Sequence, residues 1–180
     1  MKVALLVIGI IIVLFIGLYA YYGGFEKITV TEGKQGGETI VYENVTGDYS
    51  QTSRYTNKLY YDLLNNDRVE TTKGIGIFYD NPRQVEKAKL RSEAGCVLND
   101  ADSTTIGRLS GKYLLKTLPE KECISVEFPL KGSLSFIIGV LKVYPALNDY
   151  SEAHGYKESP VTEIYDVPGR KIVYRKEIVR

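Results

Sequence analysis

A carboxylate set in an apolar strand can hold a cation or move a proton, and Glu163 stands in such a setting. It lies within Pro160-Val161-Thr162-Glu163-Ile164-Tyr165-Asp166-Val167-Pro168, where apolar residues alternate with polar ones. Alternation marks a strand with one face buried, and the period of two puts Glu163 and Tyr165 on the same side. Burial raises a carboxyl pKa, and a hydroxyl donor beside it favours the charged form. The pair therefore suits cation binding or acid–base work, although an edge-strand glutamate facing water fits the same pattern. Other chemistry-bearing residues are sparse. His154 is the only histidine, which excludes a histidine-based catalytic triad or a multi-histidine metal site, and its place is the solvated end of a helix. Cys96 and Cys123 are far apart without Cys-x-x-Cys spacing and read as free buried thiols. Gly74-Ile75-Gly76 does not open a helix, so a dinucleotide loop is not supported. No catalytic residue, cofactor or metal is assigned.

The elements that must position Glu163 show an internal echo. Gly76-Ile77-Phe78-Tyr79-Asp80-Asn81-Pro82 is a second alternating run closed by Tyr-Asp-x-Pro, in which Asp favours a turn and Pro cannot extend a ladder. Aligning the two runs puts Ile77 where Glu163 stands. Gly47 and Gly132 each precede a helical stretch. One strand-helix-strand-strand unit used twice is expected, over roughly 38–98 and 122–179.

In chain order, the expected strands are 27–31, 38–46, 72–79, 91–98, 112–117, 122–128, 161–166 and 171–178. A helix is expected over 50–66 from the spacing of Tyr55, Leu59 and Leu63. A second starts at Ser133, a plausible cap, with Leu134, Ile137, Ile138 and Leu141 on one face and Pro145 set to kink or split it. The polar stretch 99–111 reads as a loop joining the units.

Before all of this, Val3 to Tyr22 is uncharged and, at about 20 residues, spans about 30 Å as a helix. Tyr19, Tyr21 and Tyr22 gather at one end, where amphipathic rings favour the headgroup region. A signal peptide is the rival, but the run is long and Leu18-Tyr19-Ala20 is a poor cleavage site. The organisation expected is an anchor and Gly23-Gly24 hinge over 1–24, then one α+β domain over 25–180. Two charges before the helix lean towards a cytoplasmic N-terminus. Lys and Arg total 23 against 22 Asp and Glu, with no basic stripe, so a nucleic-acid partner is not expected. Fifteen tyrosines and no tryptophan suit half-buried sheets and pocket walls alike.

The doubled unit, the glycine before each helix and Pro160-x-x-Glu163-Ile164-Tyr165 resemble the GyrI-like (AraC effector-binding) domain family. The resemblance implies a tandem strand-helix-strand-strand fold whose halves enclose a groove. Multidrug-sensing members bind hydrophobic cations or small aromatics there, and the glutamate matching Glu163 lines it. Glu163 is then the charge partner of a small-molecule ligand, with Tyr165, Tyr49 and Phe128 as walls. No DNA-binding domain is expected from this sequence, so the regulator role does not follow. Two alternatives stay open: a hydrolase of reactive electrophiles using a pocket Glu and Tyr, and a ligand-free interaction module at the membrane, which leaves room for a protein partner.

Overall fold

The alternating segments find their hydrogen bonds in one another. The computed structural model, which describes residues 2–99 and 102–180, joins them into a single eight-stranded sheet. Its strands are β1 (Thr31–Gln35), β2 (Thr39–Thr46), β3 (Lys73–Phe78), β4 (Arg91–Val97), β5 (Leu114–Thr117), β6 (Lys121–Pro129), β7 (Val161–Asp166) and β8 (Lys171–Glu177). They lie in the order β1-β6-β8-β7-β3-β4-β2-β5, and every neighbouring pair is antiparallel. The helices are α1 (Lys2–Tyr21), α2 (Thr52–Asn66), α3 (Ser103–Ser110) and α4 (Ser133–Ala153).

Register decides what each face carries, because residues directly opposite one another point to the same side. One row runs Val41, Cys96, Gly74, Tyr165, Ile172, Phe128 across six strands. Its ends are bulky and its middle contains a glycine. Helix α2 buries Leu59 and Leu63 against the Val41–Cys96 end. Helix α4 buries Val143 and Leu147 against the Ile172–Phe128 end. Each such side chain stabilises the fold by about 1.5–3 kcal/mol. The two helices thus cover the ends of one face and leave its centre, β3 and β7, between them. The opposite face carries a separate cluster of Ile40, Ile75, Ile77, Val97 and Ile164, with Arg175 and Glu38 paired through two bonds of 2.8 and 2.9 Å.

Several elements differ from the sequence expectation. The first strand is Thr31–Gln35, later than 27–31, and it pairs with β6 at the far edge of the sheet. Its residues are Thr, Glu, Gly, Lys and Gln, which alternation does not flag, and the pairing rests on backbone bonds plus the Thr31 hydroxyl bonded to Ser125. Residues 103–110, expected to be loop, form α3. Asp102 caps it by accepting from Thr105 N–H at 2.7 Å, and Leu109 is its buried anchor. Residues 100 and 101 of the expected loop lie outside the described residues. Helix α4 runs unbroken through Pro145. The missing Pro145 N–H frees the Leu141 carbonyl, and Leu141 is 69% exposed, so water can satisfy it. The buried stripe of α4 is Ser135, Gly139, Val143, Leu147 and Ser151, whereas Leu134, Ile137 and Leu141 are exposed. Small residues won the core face because the sheet comes too close for larger ones. A Cβ on Gly139 would sit 2.3 Å from Tyr174 Oη and 3.3 Å from the Phe128 ring.

Helix α1 is exposed throughout, has a mean hydropathy of 3.0, and is long and apolar enough to cross a membrane. The glycines after it are packed, not free. Gly23 has φ +89° and lies against Phe128 and Pro129. Lys142 of α4 donates to the carbonyls of Gly23 at 3.3 Å and Gly24 at 2.7 Å, and also to that of Glu26.

Asp67, at the C-terminal end of α2, ties that helix to the next elements. Its side chain is 1% exposed and accepts from Lys112 Nζ, Tyr113 Oη at 2.7 Å and Arg108 Nη1 at 3.2 Å. The Lys112 bond foremost holds its carboxyl below the usual range. The folded pKa is depressed, so this stabilisation is present above the unfolded carboxyl pKa and fades as pH falls through the folded value. Asp67→Ala is expected to lower stability by about 1–3 kcal/mol in chemical denaturation at pH 7. The gap to the parent should shrink towards pH 3; a gap that stays constant with pH would argue against an ionic origin.

Candidate functional site

Between α2 and α4 the central strands floor a groove of about 1700 Å³. The second row across the sheet explains its floor: Ala94, Gly76, Glu163, Tyr174 and Val126 face the same way. Gly74 and Gly76 supply no side chains there. A Cβ on Gly76 would come within 2.8 Å of the Phe78 ring, and one on Gly74 within 3.2 Å of Tyr165. The two glycines let aromatic rings lie against β3.

Glu163 sits on this floor, 4% exposed. Tyr144 Oη of α4 donates to its Oε1 at 2.6 Å, and Tyr165 Oη donates to its Oε2 at 2.8 Å. Burial pushes the Glu163 carboxyl up, and the two hydroxyls offset part of that rise. The tyrosines are pushed well above their ordinary values, by burial first and by the Glu163 charge second. Near pH 7 they stay protonated as donors. Tyr165 also meets the Phe136 ring edge-on at 5.3 Å. Beneath them Tyr174 Oη is buried with no hydrogen-bond partner among the described residues, next to Gly139. The apolar wall is the exposed face of α4, including Phe136, Ile137, Val140 and Leu141. Further along, beside Val161, Lys176 also lines the groove. It is 5% exposed with its Nζ 3.1 Å from Asn148 Oδ1, and burial pushes its amine pKa down. The groove thus has an acid at its centre and an amine towards one end. Among the described residues no cluster of three His, Cys, Asp or Glu side chains could hold a metal ion.

The structure brings Glu163 and Tyr165 together as the period of two requires. Tyr49 lines the groove mouth, stacked edge-on at 4.9 Å against Phe78. Its hydroxyl accepts from Asp80 N–H at 2.9 Å and lies 2.8 Å from the Asp80 carbonyl, so it also fastens the turn after β3. Phe128 is not in the wall. It is 1% exposed under α4, because its register places it at the bulky end of the first row. The alignment of Ile77 with Glu163 also fails on register. Ile77 faces Thr162 and belongs to the opposite face, while Gly76 faces Glu163. Sequence reading missed Tyr144. Its helical spacing from Ile137, Val140 and Leu141 is a usable signal, but their hydrophobicity reads as a core face although all three are exposed.

The sheet and the helices on one of its faces make an α+β domain, consistent with the GyrI-like fold. No protein-family model matches the chain. It superposes on the EcmrR C-terminal domain with a TM-score of 0.60 at 10% identity, covering 85% of this chain and 98% of that one. It matches SAV2435, in a structure bound to tetraphenylphosphonium, with a TM-score of 0.52 at 11% identity, covering 84% and 93%. In sequence it is similar to testis-expressed protein 264 of Homo sapiens, 23% identical over 168 residues, which is 87% of this chain and 52% of that protein. The chain therefore spans about half the length of that curated relative.

Proposed function

We propose that the chain is a membrane-tethered GyrI-like domain that binds a hydrophobic cation or small aromatic molecule in the groove between α2 and α4. The observation that carries this reading is Glu163, a buried carboxylate held by two tyrosine hydroxyls on a floor of aromatic rings. A carboxylate in an aromatic, apolar cleft attracts a cation that can also lie on ring faces. Lys176 repels such a ligand from its own end of the groove, so the charge should sit at Glu163. The tetraphenylphosphonium in the SAV2435 structure supports a lipophilic cation as the ligand class. Helix α1, by length and apolarity, supports the tether. We also read the domain as a duplication. In support, the strand order reads alike from both ends: outer strand, strand entering a long helix, closing strand, central strand. The counterpart of Glu163 in the first unit is then Gly76 or Phe78, which share its face.

Binding should depend on pH with a defined sign. Burial raises the Glu163 carboxyl pKa from its ordinary value, and only its ionised form pairs with a cation. Equilibrium dialysis of tetraphenylphosphonium against the full chain in detergent is expected to show affinity rising as pH climbs through that raised value, then levelling. Absence of binding at every pH from 4 to 9 would overturn the ligand assignment.

A further inference from the structure

Helix α4 has two faces with different fates. One packs on the sheet. The other carries Leu134, Phe136, Ile137, Val140 and Leu141, which are 39–69% exposed, an apolar stripe of the kind that marks an interaction surface. Its position relative to α1 says what covers it. Lys142, one residue beyond Leu141, holds the carbonyls of Gly23 and Gly24 just past the end of α1. Gly132, at the start of α4, lies against the Tyr22 ring, 3.2 Å from its Cε1 at the nearest point of an added Cβ. Lys131 Nζ sits 5.2 Å over the Tyr21 ring. The first half of α4 is therefore fixed beside the tyrosine-rich end of the apolar helix, where tyrosine and lysine side chains meet headgroups.

We propose that the exposed face of α4 lies in the headgroup–acyl boundary of the bilayer that α1 spans, so that the groove opens onto that boundary. The ligand it takes is then a cationic amphiphile, with its head at Glu163 and its chain along α4 towards the acyl region. This rests on the tether proposed above. Five apolar side chains on a helix flanked by Lys131 and Lys142 make the pattern of an interfacial helix, here supplied by the wall of a binding groove. Phe136, Ile137, Val140 and Leu141 serve both surfaces at once.

The test uses the full chain in phosphatidylcholine vesicles. Leu141→Cys carries an environment-sensitive fluorophore, and Leu114→Cys, on the strand at the opposite sheet edge from β1, serves as the control. Both native cysteines are buried, and both target sites are exposed, so labelling is selective and folding is spared. Lipids with a spin label high on the acyl chain are expected to quench the probe at 141 at least about twofold more than at 114. Dodecyltrimethylammonium in the vesicles should compete with tetraphenylphosphonium at least about tenfold better than tetramethylammonium does. A chain that floats with vesicles but shows no quenching at 141 would overturn the docking and leave the tether standing. A chain that fails to float would overturn the tether itself. A probe at 141 shielded from lipid quenching but exposed on dilution with unlabelled chain would assign the face to a second copy, against the proposal. Equal competition by the two ammonium ions would remove the amphiphile.

Discussion

Glu163→Gln is expected to weaken tetraphenylphosphonium binding by roughly 5- to 150-fold while changing the melting temperature little near pH 4 and raising it towards pH 8. The affinity loss corresponds to about 1–3 kcal/mol for removing a charged partner. The stability result follows from the direction of the pKa shift. Folding raises the Glu163 pKa, so the carboxyl favours the folded state most when protonated, below its unfolded value. That advantage is lost as pH rises through the window between the unfolded and the raised folded pKa. Above it the buried charge weighs against folding. Glutamine has no charge to desolvate and keeps one acceptor for Tyr144 or Tyr165, although its amide must donate where the carboxylate accepted. The difference in melting temperature between variant and parent should therefore grow from pH 4 to pH 8. Full-strength binding by the variant would show that Glu163 does not meet the ligand, and equal melting behaviour at all pH values would show that its charge is not a burden.

Gly95→Val on β4 is expected to lower folding stability by about 3 kcal/mol or more, the largest effect of any single substitution suggested here. Gly95 pairs with Tyr42 of β2 on one side and Ile75 of β3 on the other. A Cβ there would lie 2.0 Å from the Val41 carbonyl oxygen and 2.9 Å from Tyr42 Cα. Those are backbone atoms, with no flexible side chain to turn away. The clash can be relieved only by prising β2 from β4, beneath the packing of α2. Gly33→Ala on the edge strand β1 is the control, since nothing lies within 4 Å of its added Cβ. Denaturant midpoints of the two variants should separate widely. A Gly95 variant as stable as the Gly33 one would mean that β2 and β4 do not approach so closely.

Much of the sheet was legible because strands such as β6 alternate apolar with polar residues, although β3 and β4 turn out to be buried on both faces. Where a strand owes its place to backbone pairing at an edge, as β1 does, composition carries no such signal. Helix α3 was hidden for a related reason, since Ser103, Thr104 and Thr105 are weak helix formers and only the Asp102 cap and Leu109 betray it. Helix α4 misled in the opposite direction. Leu134, Ile137 and Leu141 are exposed, while Ser135 and Gly139 share its core face with Val143 and Leu147, because Tyr174 leaves no room for a larger side chain at Gly139. The same inversion hid Tyr144, whereas Phe128 was misplaced because its register puts it beneath α4. Glu163 and Tyr165 were legible since a period of two suffices to pair them. What stood opposite them was not, as register across strands is a tertiary property.

The grip of Lys142 on the residues after α1 bears on how the domain stands at a membrane. A spanning helix leans in a thin bilayer and straightens in a thick one. A loose joint would let the domain ignore that change. Here Gly23 is packed against Phe128 and Pro129, and Lys142 contacts the carbonyls of Gly23, Gly24 and Glu26, holding the joint to α4. If α1 spans a bilayer, as proposed, any lean of it is passed on as a rotation of α4 and of the floor beneath it. With α1 in a bilayer, the thickness of that bilayer sets the angle at which the groove is offered to its surroundings, so membranes differing by a few ångströms present the same chain in different attitudes.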